Sequence, residues 1–334
     1  MISMKARSSR ALGAAVAVAA TGTFAAGGAT TATAQAYPSK TVRIIAPFPA
    51  GGLADVLARA VGEDLQKSLG QSVIVENRPG AGGNTGANAV ATADADGHTL
   101  LLSSAGILSI NEFIFSKMPF DPDKAFAPIT VVADMSMLLV VHPKVGVSDL
   151  KGLLAKVRAE PGKLNFGSAG NGTTGHLALV MFLKAADVKI AHVPYSGAAP
   201  SVQDLVGGQI DGLFDNPPTV MSHIRAGTIK ALAATAGKRM EVLPEVPTMA
   251  EAGLPGFEAS SWFALVAPAA TPRPVIDRLH IETVKALRQP ALAERFGKLG
   301  ARLVGNTPDE FAAFIKSERI KWGATLKPAG IKLD

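Results

Sequence analysis

Short apolar runs and helically spaced apolar positions occur twice along this chain, in the same order. In the first stretch Val42–Pro47, Val73–Glu76 and Leu100–Ser104 read as buried strands. Two Gly-rich turns lie between them, Pro49-Ala50-Gly51-Gly52 and Pro79-Gly80-Ala81-Gly82-Gly83, and each opens a helix. The helix after Gly52 carries Leu53, Leu57, Val61, Leu65 and Leu69 on one face and stops at Gly70. The second stretch, Leu164–Asn216, repeats the plan. Strand Leu164–Gly167 leads into Ser168-Ala169-Gly170-Asn171-Gly172 and a helix from His176 to Ala186. Strand Ile190–Val193 leads into Tyr195-Ser196-Gly197-Ala198-Ala199, a further helix and strand Ile210–Phe214. In open α/β sheets ligands sit beyond the carboxyl ends of the strands, where these turns lie. The fold class predicted is α/β, with two lobes facing each other across a cleft.

Phe126–Val132 and Met137–Val141 are β-rich runs separated by Ala133-Asp134-Met135-Ser136, and they carry the chain from the first lobe to the second. Ala259–Pro268, with the strand Trp262–Val266, brings it back. Two crossings make a two-strand hinge, which permits closure. Ser148 is expected to cap a helix from Asp149 to about Glu160. Thr271 with Pro272 starts another, bearing Ile276, Leu279, Val284 and Leu287. Thr307-Pro308-Asp309-Glu310 is a capping box that opens the last helix, through about Trp322. Both C-terminal helices are expected to pack on the first lobe, giving lobes of 37–134 plus 260–334 and of 135–259.

Composition adds an address. Lys5, Arg7 and Arg10 precede an apolar, small-residue stretch, Ala11–Ala29, and Ala34-Gln35-Ala36 forms an A-x-A cleavage site. Residues 1–36 are therefore predicted to be an export signal, and the absence of an adjacent Arg pair favours the general route. Glycine and threonine interrupt the apolar run, which argues against a membrane anchor. The chain has no cysteine, so it has neither a disulfide nor a lipidated N-terminal thiol. A soluble periplasmic protein starting at Tyr37 is expected. Loss of the three basic residues lowers the formal charge from +6 to +3. No basic cluster or aromatic platform suggests nucleic acid. With 334 residues, 48% hydrophobic and 18% charged, the chain can bury a large core and is not disordered.

Several segments resemble one family. They are Tyr37-Pro38-Ser39-Lys40, Ile44-Ile45-Ala46-Pro47-Phe48-Pro49-Ala50-Gly51-Gly52 with Asp55, and Val75-Glu76-Asn77-Arg78-Pro79-Gly80-Ala81-Gly82-Gly83. Further on come Pro161–Ser168, Val193–Gly197, Leu243–Thr248 and Ala267-Pro268 with Thr271-Pro272. In order and over the whole mature chain, they are similar to the extracytoplasmic solute receptors of tripartite tricarboxylate transporters, the Bug (Bordetella uptake gene) family. The resemblance implies a two-lobed periplasmic binding protein of the type II arrangement. Such a receptor takes a small organic carboxylate, hands it to membrane transporter subunits, uses no cofactor and is expected to be a monomer. In that family the first-lobe Gly-Gly turn holds a ligand carboxylate through backbone amides and ordered water.

Candidate ligand contacts follow from both readings. Phe48, Pro49, Ala50, Gly51 and Gly52 form a turn whose glycines let backbone approach an anion at a helix N-terminus. Asp55 either organises ligand or water there, or compensates the helix dipole. Asn84 and Thr85 offer donors in the second turn, and Arg78 either binds a carboxylate bidentately or, the favoured reading, pairs with Glu76 or braces the loop. Ser103 and Ser104 end the third strand on alternating faces, and the sequence does not decide which faces the cleft. In the second lobe Ser168, Gly170, Asn171, Thr173 and His176 surround a helix start. Its Gly170–Gly175 pattern matches G-x-G-x-x-G, but the next strand ends Ala191-His192-Val193-Pro194 without the acid a dinucleotide ribose needs. Tyr195, Ser196 and Gly197 form the next turn. Asp215 either accepts from a ligand ammonium or hydroxyl, or caps the helix entered through Pro217-Pro218.

Catalytic and metal signatures are thin. There is no H-E-x-x-H, and Ser168 lacks the G-x-S-x-G elbow. His176 fits a packed or capping role better than that of a base. An exported α/β enzyme acting in the same cleft is the alternative to the receptor.

Overall fold

The computed structural model describes residues 37–327, so the export signal expected over 1–36 lies outside the described range. β1 (Val42–Ala46) is buried at four of its five positions. The chain passes through the Gly51-Gly52 turn into α1 (Leu53–Leu69) and returns along β2 (Val73–Asn77). Leu53, Leu57, Val61, Leu65 and Leu69 are the buried face of α1, as their spacing predicts. Gly70, at φ 68°, ends the helix in the left-handed conformation and donates its N–H to the Gln66 carbonyl. α2 (Asn84–Ala91) and β3 (Thr99–Ser104) complete three parallel strands in the spatial order β2-β1-β3. A short α3 (Asn111–Ile114) precedes β4 (Phe126–Ser136).

β4 corrects one expectation. It runs unbroken through Ala133–Ser136, where the polar Asp134 and Ser136 suggest a gap in the sequence. Asp134 lies toward the sheet edge and pairs with Arg302, so strand pairing continues beneath it.

The second sheet follows the same plan. Its elements in chain order are β5 (Leu138–Val141), α4 (Leu150–Ala159), β6 (Asn165–Ser168) and α5 (Thr174–Ala186). They continue with β7 (Ala191–Pro194), α6 (Ala198–Val206), β8 (Gly212–Asp215), α7 (Pro217–Arg225) and β9 (Lys230–Ala234). The chain then returns to the first sheet as β10 (Ser260–Pro268). α8 (Arg273–Leu287), α9 (Pro290–Gly297), β11 (Arg302–Leu303) and α10 (Pro308–Leu326) follow. The two sheets read β2-β1-β3-β10-β4-β11 and β7-β6-β8-β5-β9. In each, an antiparallel strand that arrives from the other lobe sits beside a parallel trio. This is the two-lobed type II arrangement with a two-strand hinge.

Two helix starts differ from expectation. Asp149, not Ser148, caps α4 by accepting the Gly152 N–H at 2.7 Å, and Pro272 rather than Thr271 is the N-cap of α8. The Thr307–Glu310 capping box is present at α10. Both α8 and α10 pack on the first sheet. Ile276, Leu279 and Leu287 of α8 join the core beside α1, and Phe311 and Trp322 of α10 join the opposite face with Trp262. Glu318 fastens α10 to β10, its Oε2 accepting from Nε1 of both Trp262 and Trp322 at 3.1 Å.

One hydroxyl, beside backbone hydrogen bonds, ties the two crossings of the hinge together. Only Met137 separates β4 from β5. Oγ1 of the buried Thr235 accepts the Met137 N–H at 2.8 Å and donates to the Ala259 carbonyl at 2.5 Å, so it clasps both crossings. The Thr235 N–H also donates to the Met137 carbonyl. Thr235→Val keeps the shape but strands a buried N–H and a buried carbonyl. It should cost about 2–4 kcal/mol on the usual penalty for unsatisfied groups, read by urea unfolding, whereas Thr235→Ser should stay near wild type.

Candidate functional site

Four helices begin at one place. α1, α5, α6 and α7 start at Gly52, Thr173, Gly197 and Asn216, each directly after a strand or its turn. None of the four carries a side-chain cap, as is also true of α2, α3, α8 and α9. α7 differs from the other three in having no free first amides, since Pro217 and Pro218 lack an N–H and the Thr219 N–H donates to the Asn216 carbonyl. The first amides of a helix have no partner within it and carry the positive end of its dipole.

Residues at these starts line an inner cavity of about 50 Å³, room for a few water molecules or a carboxylate-sized group. Gly52, Leu53 and Ala54 come from α1; Thr173, Thr174 and Gly175 from α5; Ala198 from α6; Asp215 and Asn216 from the entry to α7. Phe48, Ser104, Ser261 and Phe263 close it from the first sheet. Asp215 is the only lining residue with a charged side chain. An outer groove of about 370 Å³ continues past Phe48 and Ala169, lined by Gly80–Gly83 and Phe115 from one lobe and by Gly170, Asn171 and Pro194–Ser196 from the other.

The lobes meet closely beside this cleft. A methyl at Gly197 would stand 2.5 Å from Cδ of Pro49, and one at Gly106 would stand 2.8 Å from the Gly172 carbonyl. Glycine is required at this seam by the proximity of the opposing chain.

Of the residues expected at the site, Phe48, Gly52, Ser104, Thr173 and Asp215 line the inner cavity, and Gly170, Asn171, Tyr195 and Ser196 the outer groove. Pro49 and Gly197 form the seam. Ala50, Gly51, Asp55, Asn84, Thr85, Ser103, Ser168 and His176 line neither space. Asp55 is turned into its own loop. It accepts from the Gly51 N–H at 3.0 Å and from Asn77 Nδ2 at 3.0 Å, and pairs with Arg59 at 2.8 Å. Burial pushes its pKa up, but these partners outweigh it and hold the carboxyl below its ordinary range. Arg78 pairs with Glu76 at 2.7 Å, the bracing role its position suggests. Asn84 meets the Asn111 amide at 2.7 Å, and Thr85 is exposed. Ser103 is buried away from the cleft, which settles the alternation in favour of Ser104.

Ser168, 1% exposed, lies 2.7 Å from His192 Nε2, and His192 stacks on His176 with ring centroids 4.2 Å apart. Nδ1 of His176 accepts the Gly172 N–H at 3.3 Å, so it braces the loop. Burial lowers both histidines to about 4, and they are neutral at pH 7. This serine–histidine contact lies beneath the loop and outside the cleft. The Tyr195 hydroxyl donates to Asp204 at 2.7 Å; burial and that carboxylate push it up to about 12. Tyr195 presents its ring side, not its hydroxyl, as a free surface.

Ser261, Phe263 and Ala198 escape the sequence reading as lining residues, whereas Thr174, expected beside Thr173 as a donor, lines the inner cavity. β10 pairs Phe263 with Ser104, a register that no local pattern announces. Ala198 is the first residue of α6, which the sequence places slightly late, after Ala199.

The family model for the tripartite tricarboxylate transporter family receptor matches residues 57–331. The chain belongs to this receptor family. It is similar to Protein BugT of Bordetella pertussis, with 39% identity over 92% of this chain and 95% of that protein. Among solved structures it resembles the periplasmic binding protein BugD (35% identity, TM-score 0.85, 89% of this chain and 100% of that one). Rpa4515 of R. palustris with adipate (34%, TM-score 0.86) covers 89% of this chain and all of its own. MatC from Rhodopseudomonas palustris with bound malate (33%, TM-score 0.84) covers 87% and all of its own.

In this receptor Asp215 is the exceptional group. Oδ1 accepts the Asn216 N–H at 2.7 Å, but Oδ2 is buried with no partner among the described residues. Burial pushes the carboxyl up to about 6, partly offset by the Asn216 N–H and Thr219. A carboxyl raised above its unfolded value of 3.8 costs no stability below that pH, and the cost grows as pH rises through 6. Asp215→Asn should therefore stabilise the ligand-free receptor above pH 6, by about 1–3 kcal/mol, with the gain vanishing below pH 4. Urea unfolding of both proteins between about pH 4 and 8 checks this; a pH-independent difference would contradict it.

Proposed function

We propose that this receptor captures a small mono- or dicarboxylate in the cleft between its lobes and delivers it to membrane subunits of a tripartite tricarboxylate-type transporter. The observation that carries the reading is three helix N-termini, those of α1, α5 and α6, bringing first amides to one cavity that no lysine or arginine lines. Such amides bind a small anion without a counter-charge. The solved relatives holding adipate and malate support a carboxylate. A triply charged acid fits less well, because buried charge without partners is costly.

Gly52, Ser104 and Thr173 are the inner contacts, Phe48 spans both spaces, and Asn171, Tyr195 and Ser196 guard the mouth. Residues 37–134 with 260–334 form one lobe and 135–259 the other. The receptor acts as a monomer in the periplasm after loss of residues 1–36, a reading supported by the N-terminal pattern and by the periplasmic relative BugD. Protein recovered from the periplasm should have the intact mass of a chain starting at Tyr37; retention of Met1 would contradict export with cleavage.

The receptor reading is tested by mass spectrometry of the small molecule released from gently purified protein, followed by calorimetric titration. Reversible, stoichiometric binding with the ligand recovered unchanged is expected. Release of a chemically altered product would favour an enzyme. Closure adds a second arm. Gly197 is extended, at φ 174°, so Gly197→Leu leaves the local backbone unstrained but drives a side chain against Pro49. The variant should fold normally and bind at least about tenfold more weakly, about 1.4 kcal/mol. An unchanged affinity would show that the seam does not form in the bound state.

A further inference from the structure

The inner cavity is polarised. Most of its polar lining donates: the first amides of α1, α5 and α6, with the hydroxyls of Thr174, Ser104 and Ser261. One end does the opposite. Asp215 Oδ2 and Asn216 Oδ1, on consecutive residues, are both buried acceptor atoms without a partner among the described residues. Asp215 itself is 6% exposed, and its other oxygen is already fixed by the Asn216 N–H. Buried polar atoms are nearly always satisfied, and one that is not costs stability. Two on consecutive residues of one cavity lining mark a place prepared for donors.

We infer that the Asp215–Asn216 end of the cavity is a hydrogen-bond-donor subsite, so that the receptor selects carboxylates bearing a hydroxyl or ammonium group over unsubstituted ones. This rests on the carboxylate-receptor reading and sharpens it. The ligand carboxylate faces the helix amides, and the donor on its carbon skeleton bridges Asp215 Oδ2 and Asn216 Oδ1. An unsubstituted acid leaves both oxygens stranded against methylene groups. That asymmetry is the strong kind of discrimination, because a site built to pair a polar group rejects the analogue that lacks it. The raised pKa of Asp215 has the same origin, a carboxylate buried with no cation beside it.

The test is calorimetric titration with matched sets at one pH and ionic strength: propionate, lactate and alanine; succinate, malate and aspartate; glutarate, 2-hydroxyglutarate and glutamate. Wild type should bind the best donor-bearing member of a set about 10- to 100-fold more tightly than its unsubstituted partner, the scale of a hydrogen bond to a charged group. Asp215→Ala and Asp215→Asn, both checked for folding by circular dichroism, should shrink that ratio to less than about threefold. The hydroxyl and ammonium members of each set identify the donor. A purely structural Asp215 would weaken every member equally and leave the ratio unchanged, which overturns the proposal. So would a wild type that prefers the unsubstituted acid. Failure of every acid to bind would overturn the carboxylate reading beneath it.

Discussion

The Thr235 hydroxyl joins the two strands on which the architecture turns. Met137, where the chain leaves the first sheet, and Ala259, where it comes back, bond to the same oxygen atom. Everything that makes the molecule a clamp follows from these crossings lying side by side. The sheets stay in fixed register at the hinge, and the turns at their carboxyl ends are kept opposite one another. A longer or looser connection would give two α/β lobes without a common cavity.

With the ends held opposite, the site needs almost no chemistry of its own. Charge recognition is delegated to backbone: α1, α5 and α6 bring first amides to the cavity without a side-chain cap, a cost that a bound anion offsets. The side chains that look chemically potent are placed elsewhere. Asp55 and Arg59 brace one turn, Glu76 and Arg78 another, and the His176–His192 stack supports a third. Asp215 is the exception. It stands where a carboxylate is expensive, and the expense is characteristic of a residue retained for binding rather than for stability.

Much of this was legible in the chain because the fold is a repeat of one unit. Apolar runs closed by glycine turns located the strands of both parallel trios to within two residues, and the capping box at Thr307 located α10. The misses have physical causes. Asp134 looked like a strand break because its carboxylate, paired with Arg302 of the edge strand β11, stays partly exposed without ending the strand. Ser148 and Asp149 are both good caps, and only geometry chooses between them. Phe263 enters the site through its pairing with Ser104 of β3, and Ser261 through its pairing with Met135 of β4, partners far away in sequence. The serine–histidine contact at Ser168 spans 24 positions and was equally invisible. The family resemblance supplied the class of ligand, which periodicity could not.

The exchange of strands between lobes also sets an order of assembly. The second sheet is made from one continuous stretch, β5 through β9, so it can close as soon as that stretch is available. The first sheet cannot. Its trio and β4 are made early, but β10, which must insert between β3 and β4, arrives only after the whole second lobe. Until then β3 and β4 present unpaired edges, a hazard for association with other chains. The lobe whose synthesis begins first is thus the last to be finished, and a chain truncated before Ser260 leaves its first sheet open down the middle.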